Sequence, residues 1–593
     1  MPDPTPTTSP ATSPAVPLPP WAKDLITQYE SHAASQFILS GNVSDLMLIP
    51  PTVNGGMVKA EPKPDDKPRL GTLTDFVTAT LLPRFDVVVH YDLGNGIRVE
   101  RGGEIVSQWP TFKSTPTVPR EPRLAVEYLT AYFRYLANLR LMGQKPVHAA
   151  LFVKSAALVA PAVRGSTDYN LSSLALTIRE WANEPLLTSH PLVTFLVTEN
   201  TADLHPLLVN NPRTARLTVP LPTPDELERT LRVLAPSYPV ALGELAKDPA
   251  KPAAALAGTT IAAVEAMLKT RQHLAKPIAD ADLADIKKQM IEKDTAGLIE
   301  FIKPDRTLDD LHGMEKVKAH LRQDIALWKN NDLAALPMGY LICGPVGTGK
   351  TYMVECLAGS AGVPVVKLKN FRDRWVGSTE ANLETIFRLL KALGRCIVFI
   401  DEADQALGKR QADSGDSGVG GRVYSMFAEE MSNTRHRGKI MWALASSRPD
   451  LIEVDLKRPG RVDVKIPLLP TTTPAESWGL IRALAKKRAV DLPKELPTDL
   501  EALMPLRLTP GAAEALSVKL YRLVRTAPPD SAGKPADILH MLKDALDDYM
   551  PPVPPEVMQF QIDLAVREAS DLEFVPEPLR PASNLAPGAL RGG

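Results

Sequence analysis

The run Gly344-Pro345-Val346-Gly347-Thr348-Gly349-Lys350-Thr351 has the residue types and spacing of a phosphate-binding loop. The apolar stretch Tyr340-Leu341-Ile342-Cys343 precedes it and the helix-like Tyr352-Met353-Val354-Glu355-Cys356-Leu357-Ala358 follows, which is the strand-loop-helix setting such a loop requires. The glycines let consecutive backbone N–H groups curl around a phosphate, Lys350 brings a point charge to the outer phosphates, and the Thr351 hydroxyl can ligate Mg²⁺. The expected ligand is a nucleoside triphosphate. Further on, Cys396-Ile397-Val398-Phe399-Ile400-Asp401-Glu402 is an apolar run ending in two carboxylates, as a buried parallel strand ends at the mouth of a sheet. Asp401 is placed to organise the metal and Glu402 to act as general base for a water attacking the γ-phosphate.

Those residues need a frame to hold them. A chain of 593 residues is too long for one core and predicts about three or four domains. Lys+Arg 68 against Asp+Glu 69 gives a net charge of -1, so no global field recruits nucleic acid or an anionic membrane. The cysteines Cys343, Cys356 and Cys396 all fall on apolar positions around the loop and read as small buried hydrophobes in a reducing compartment. No apolar run approaches the roughly eighteen residues of a membrane span, and the N-terminus lacks a signal-like pattern, so the expectation is a cytoplasmic protein.

In chain order, residues 1–20 are a Pro, Ser and Thr leader expected to be disordered. Trp21 to Tyr29 has helical spacing, Gln36 to Asn42 reads as a strand entering a turn, and residues 50–70 read as a surface loop. From there to about residue 220 strands and helices alternate as in an α/β sheet: Phe85 to Tyr91, Val147 to Val153 and Leu192 to Asn200 are strands, and Leu124 to Leu141 is an amphipathic helix. The turn Asp92-Leu93-Gly94-Asn95-Gly96 carries no Lys-Thr pair, and the strand at Val147 ends in Lys154-Ser155 where a hydrolytic site wants two acids. A helical cluster to residue 292 closes this half, Asp294 to Thr307 reads as a linker, and Leu311-His312-Gly313 opens the second module with a glycine that lets backbone approach a flat ring.

With these motifs in hand, the second module resembles the AAA ATPases in the narrow sense, the group of proteasomal ATPases, microtubule-severing enzymes and membrane-fusion unfoldases, over about residues 305–550. Asp310-Leu311-His312-Gly313 is similar to the entry that lines the family's adenine pocket, and Arg374-Trp375-Val376-Gly377 to its first pore loop, whose aromatic-aliphatic-Gly triplet faces the ring axis. A Trp375 packed on its own domain is the alternative. Ser446-Ser447-Arg448-Pro449-Asp450 stands where the family has Thr-Asn-Arg-Pro-Asp; a Ser447 hydroxyl is shorter than an Asn amide and reaches fewer partners, which predicts slow hydrolysis. Lys457-Arg458-Pro459-Gly460-Arg461 is similar to the arginine-finger segment, and the resemblance implies that Arg458 and Arg461 reach a neighbouring subunit's γ-phosphate. Leu508-Thr509-Pro510-Gly511-Ala512 looks like the subfamily's Gly-Ala lid turn.

The resemblance implies ATP and Mg²⁺ as cofactors. ATP would lie on Gly344 to Tyr352, Leu311, Gly313, Gly511 and Ala512, and Mg²⁺ on Thr351 and Asp401. The expected fold is a P-loop NTPase parallel sheet (305–470) with a helical lid (471–550) and a C-terminal helix and tail (551–593). It is preceded at 21–292 by an α/β module whose element order resembles the same core stripped of its phosphate and metal ligands; an unrelated α/β domain is the alternative there. The functional expectation is a homohexameric ATPase that remodels, unfolds or disassembles a protein substrate, with no membrane partner. A nucleotide-gated scaffold with slow hydrolysis is the first rival. A nucleic-acid motor is the second, and the neutral charge and lack of a base-stacking motif count against it.

Overall fold

The computed structural model describes residues 18–50, 68–83, 85–114, 118–163, 168–279, 282–295, 297–302, 305–369, 379–407, 417–526 and 537–580. Most of the 1–20 leader (residues 1–17), most of the expected loop at 50–70, the pore-loop residues Trp375, Val376 and Gly377, and the last residues of the tail lie outside them. The end of the leader is not disordered as expected: Leu18 is buried in a core and Pro20 starts helix Pro20–Glu30. The chain divides into two compact units, residues 1–290 with 380–392, and residues 291–379 with 393–593.

The first unit is built on strands β1 (Gln36–Gly41), β2 (Leu46–Ile49), β3 (Arg69–Thr72), β4 (Val87–Asp92), β5 (Gly96–Arg101), β6 (Ala149–Val153), β7 (Leu192–Val197) and β8 (Thr214–Val219). Six of them form one sheet in the order β5-β4-β6-β7-β1-β8, parallel except for the β4–β5 hairpin. The central strands are apolar at every position because helices cover both faces. Val87, Val89, Leu151 and Val153 face one core with Trp109 and Trp181, while Val88, Ala150, Phe152 and Phe195 face the other with Trp21 and Phe76. The pair β2–β3 was not anticipated; its two short strands are too brief for a clear period-2 signal and flank the Pro-rich stretch.

The second unit carries β9 (Ile299–Ile302), β10 (Gly339–Cys343), β11 (Val365–Leu368), β12 (Cys396–Ile400), β13 (Ile440–Ser446) and β14 (Val464–Pro467), ordered β14-β10-β13-β12-β11-β9. All neighbours are parallel except β9, which runs antiparallel on β11. Part of the expected linker at 294–307 is therefore an edge strand, and its alternating Ile299-Glu300-Phe301-Ile302 buries Ile299 and Phe301. Helices Pro474–Lys486, Pro510–Thr526 and Ile538–Asp547 close a separate apolar core around Trp478, Leu516 and Leu542. The apolar-acidic strip at Leu572 to Glu577, which reads as a docking strip for a neighbour, instead seats Phe574 and Val575 in its own unit, Phe574 among the core residues under the sheet.

Numbered by position, both sheets share one strand order, 5-1-4-3-2, with an antiparallel edge strand beside strand 2. Two backbone details repeat with it. Gly41 ends strand 1 of the first unit at φ 100 and a Cβ there would meet the Val219 carbonyl at 2.5 Å; Gly344 follows strand 1 of the second at φ 155 and its Cβ would meet the Leu468 carbonyl at 2.0 Å. Ser155 and Glu402, each two residues past strand 3, both take the left-handed conformation that non-glycine residues rarely adopt, at φ 50 and 48. The first unit is thus a Rossmann-like module of the same plan as the second.

Chemistry is where they part. After Gly41 the chain supplies Asn42-Val43-Ser44-Asp45 in place of a phosphate loop, and the Asp45 carboxylate accepts from the backbone N–H of Ile261 (3.0 Å) and Ala262 (2.8 Å) at the start of helix Ile261–His273. The Gly-bearing turn at 92–96 belongs to the β4–β5 hairpin and not to strand 1. Replacing Asp45 with Ala leaves those buried amides unanswered and should lower stability by about 2 kcal/mol. The expected observation is an earlier midpoint in urea unfolding, with Asp45→Asn, which keeps one acceptor oxygen, falling between the two.

Candidate functional site

Strand order brings the chemistry together in the second unit. Because β10 lies between β14 and β13, and β13 beside β12, the loops after all four strands open on one edge of the sheet. After β10 the chain turns at Gly344 and enters helix Lys350–Ala361, whose N-cap Gly349 offers no side chain to the first-turn amides. Those N–H groups and the helix dipole form a ready seat for a phosphate.

Lys350 crosses this seat. Its Nζ donates to the carbonyls of Gly344 (2.9 Å) and Pro345 (3.0 Å) and to Ser447 Oγ (2.9 Å) at the end of β13. Burial pushes the ammonium down to about 8, against the pull of the nearby Asp401 carboxylate. Thr351 Oγ1 donates to Asp401 Oδ2 at 3.3 Å, so the two residues expected to hold a metal face each other. A hydroxyl and a carboxylate fit Mg²⁺, which takes few protein oxygens and leaves the rest of its shell to phosphates and water. Among the described residues no group of three or more His, Cys, Asp or Glu converges as a metal centre. Glu402 follows Asp401 and is exposed at the mouth. Ser446 is buried, bonded to Asp404 and to the Arg448 N–H, which fixes the loop that presents Ser447.

Around this centre, Gly511 N–H donates to the Gly347 carbonyl at 2.9 Å, docking helix Pro510–Thr526 on the loop, with Ala512 buried beside it. The Arg306 guanidinium (4.8 Å) and the Lys487 ammonium (5.4 Å) both approach the Tyr352 ring, whose hydroxyl reaches the Asp310 carbonyl next to buried Leu311. Gly313 takes φ 70 one residue before the start of helix Glu315–Lys329 is capped.

The two arginines of the finger segment separate. Arg458 is 60% exposed and touches Asp455 at 3.0 Å; Arg461 is buried, with Nη1 on the Asp455 carbonyl (2.8 Å) and on its carboxylate, which also accepts from Tyr424. Of the two residues expected to reach a neighbour, Arg458 presents its guanidinium outward and Arg461 is turned inward onto Asp455. Sequence spacing cannot show this, because the inward turn of Arg461 depends on Asp455 from the preceding loop. The thiols of Cys343 and Cys356 are pushed up to about 12 by burial, as small core groups would be.

Two contributors were missed by sequence. Helix Pro555–Glu568 returns to the loop, where Gln561 Oε1 accepts from the Val346 N–H at 3.2 Å, and Glu568 pairs with Lys457 and with Lys465 at 3.0 Å. Lys367 on β11 reaches Asp401 at 2.8 Å. Neither carries a motif; a Gln in a helix and a Lys in a short strand have no positional signature.

Residues 9–220 match the model of the AAA+ chaperone N-terminal Rossmann-like domain, and residues 340–469 that of the ATPase family associated with various cellular activities. The chain is 32% identical over 240 residues to the ATP-dependent zinc metalloprotease FtsH 1 of Salinibacter ruber, covering 39% of this chain and 34% of that protein. It is 31% identical over 169 residues to Protein mac-1 of Caenorhabditis elegans (27% and 20%) and 32% over 194 residues to the peroxisomal ATPase PEX6 of Kluyveromyces lactis (31% and 19%). The chain thus spans about a third or less of the length of these relatives.

A lysine held near 8 binds phosphate as the ammonium, and a bound polyanion raises its pKa, so binding takes up a proton above that pH. The affinity of the full chain for inorganic tripolyphosphate should be flat below pH 8 and fall by up to about tenfold per unit above it. Lys350→Arg, which stays charged, should remove that fall; isothermal titration across pH 7–10 checks it.

Proposed function

We propose that the chain is a Mg²⁺-dependent ATPase, its residues 340–469 matching the AAA ATPase family and its residues 9–220 the N-terminal Rossmann-like domain of AAA+ chaperones. In this reading it works as a ring, a hexamer, and couples hydrolysis in its second unit to the remodelling, unfolding or disassembly of a protein substrate. The observation that carries it is the meeting of Lys350, Ser447, Thr351 and Asp401 at the N-terminus of one helix.

Gly344 to Tyr352 receive the triphosphate, with Lys350 on the outer phosphates. Leu311, Gly313 and Tyr352 border the base, while Gly511 and Ala512 let the lid close on the loop. Thr351 and Asp401 hold Mg²⁺, which when bound offsets the negative charge of the β- and γ-phosphates. The Glu402 carboxylate takes the proton of the attacking water. Ser447 orients that water or the γ-phosphate with a single hydroxyl already shared with Lys350, and slow turnover follows. Arg458 serves the site of the next subunit, and Arg461 holds the finger segment through Asp455. Trp375, Val376 and Gly377 are assigned to the axial loop on the strength of their motif.

The relatives' names speak of a metalloprotease and a peroxisomal ATPase. The sequence contains no His-Glu-x-x-His, and no proteolysis is proposed for it. The first unit, with Lys154-Ser155 where the second has Asp401-Glu402, is assigned no hydrolysis and serves as a platform for a partner or substrate.

Glu402→Gln should retain ATP binding, lose at least about a hundredfold in turnover, and elute with ATP at the mass of a hexamer with trapped polypeptide. A monomer that binds ATP and traps nothing would favour the nucleotide-gated scaffold. Arg458→Ala should lower turnover by about a thousandfold with binding intact, whereas Arg461→Ala should lower the melting temperature first. Trp375→Ala should keep basal turnover and lose remodelling; unchanged remodelling contradicts threading.

A further inference from the structure

Lys367 stands outside every role assigned above. Its Nζ lies 2.8 Å from Asp401 Oδ2, the oxygen that also accepts from Thr351 Oγ1. The sheet produces this approach: Lys367 pairs with Phe399 across β11 and β12, and Phe399 and Asp401, two residues apart, share a face. The ammonium passes over the Phe399 ring, 5.4 Å from its centroid, and the side chain is 26% exposed. A cation is thus fixed beside the one carboxylate assigned to the metal.

We infer that Lys367 is a tethered counter-ion of the metal site and sets how much free Mg²⁺ the second unit requires to take up a nucleoside triphosphate. The inference rests on the reading of Thr351 and Asp401 as metal ligands. Two cations then compete for one carboxylate. If Lys367 keeps its place when the metal enters, a unit charge stands a few ångströms from a divalent one and weakens its binding. If Lys367 swings away, a partly buried ion pair is broken and its ammonium must find other acceptors. Both routes raise the Mg²⁺ demand. The chain thereby gains a dependence on free Mg²⁺ that a neutral residue at this strand position would not give.

The test uses the full chain and a fluorescent, non-hydrolysable ATP analogue at fixed concentration, with free Mg²⁺ titrated. Lys367→Met should reach half-saturation at about tenfold lower free Mg²⁺ than the unaltered chain, and Lys367→Arg should match the unaltered chain. Lys367→Gln gives the same reading should the methionine variant fail to fold. A midpoint unchanged or raised in the neutral variants overturns the inference while leaving the nucleotide site standing. Failure of the unaltered chain to bind the analogue at saturating Mg²⁺ overturns the nucleotide-site reading itself, and this inference with it.

Discussion

The second unit is arranged around a partly buried ammonium whose hydrogen bonds go to dipoles. Lys350 is answered by two carbonyls and a hydroxyl, and burial lowers its pKa to about 8. Such a charge is costly until an anion arrives, which is what prepares the site to bind one. Holding it imposes conditions on everything nearby. The carbonyls of Gly344 and Pro345 turn inward only because the chain bends at Gly344, pressed on the Leu468 carbonyl where no Cβ fits. Ser447 arrives because β13 lies beside β10, and Asp401 because β12 lies beside β13. The lid helix meets the same loop through Gly511 and the Gly347 carbonyl.

The first unit keeps that frame and fills it differently. Strand order, the glycine pressed on the strand-5 carbonyl, and the left-handed residue past strand 3 are all retained. The loop after strand 1 has become Asn42 to Asp45, and its carboxylate sits on the first amides of helix Ile261–His273. In the second unit a helix of the lid, Pro510–Thr526, likewise begins at the loop after strand 1. Asp45 thus meets the first amides of helix Ile261–His273 in one unit as the Gly347 carbonyl meets the Gly511 N–H in the other.

Legibility in the sequence followed the same division. The phosphate loop, Asp401-Glu402 and the buried parallel strands were readable because phosphate binding demands fixed residue types at fixed spacing, and because strands covered on both faces are continuously apolar. The kinship of the first unit was readable only as an order of elements; Gly41 and Ser155, which mark it, are ordinary letters until backbone angles are known. What escaped depended on distant partners. Ile299 to Ile302 became a strand because β11 offered an edge, Arg461 turned inward because Asp455 was there, and Phe574 found its own core. Gln561 and Lys367 reached the site through helix packing and strand register, neither of which is written in local spacing.

The central claim is that the second unit holds a nucleotide site built on Lys350. Equilibrium dialysis of Glu402→Gln against labelled ATP and Mg²⁺ counts bound nucleotide directly. The account predicts one ATP on the second unit, abolished when Lys350→Ala is added. Binding to the second unit that survives the loss of Lys350 would contradict it.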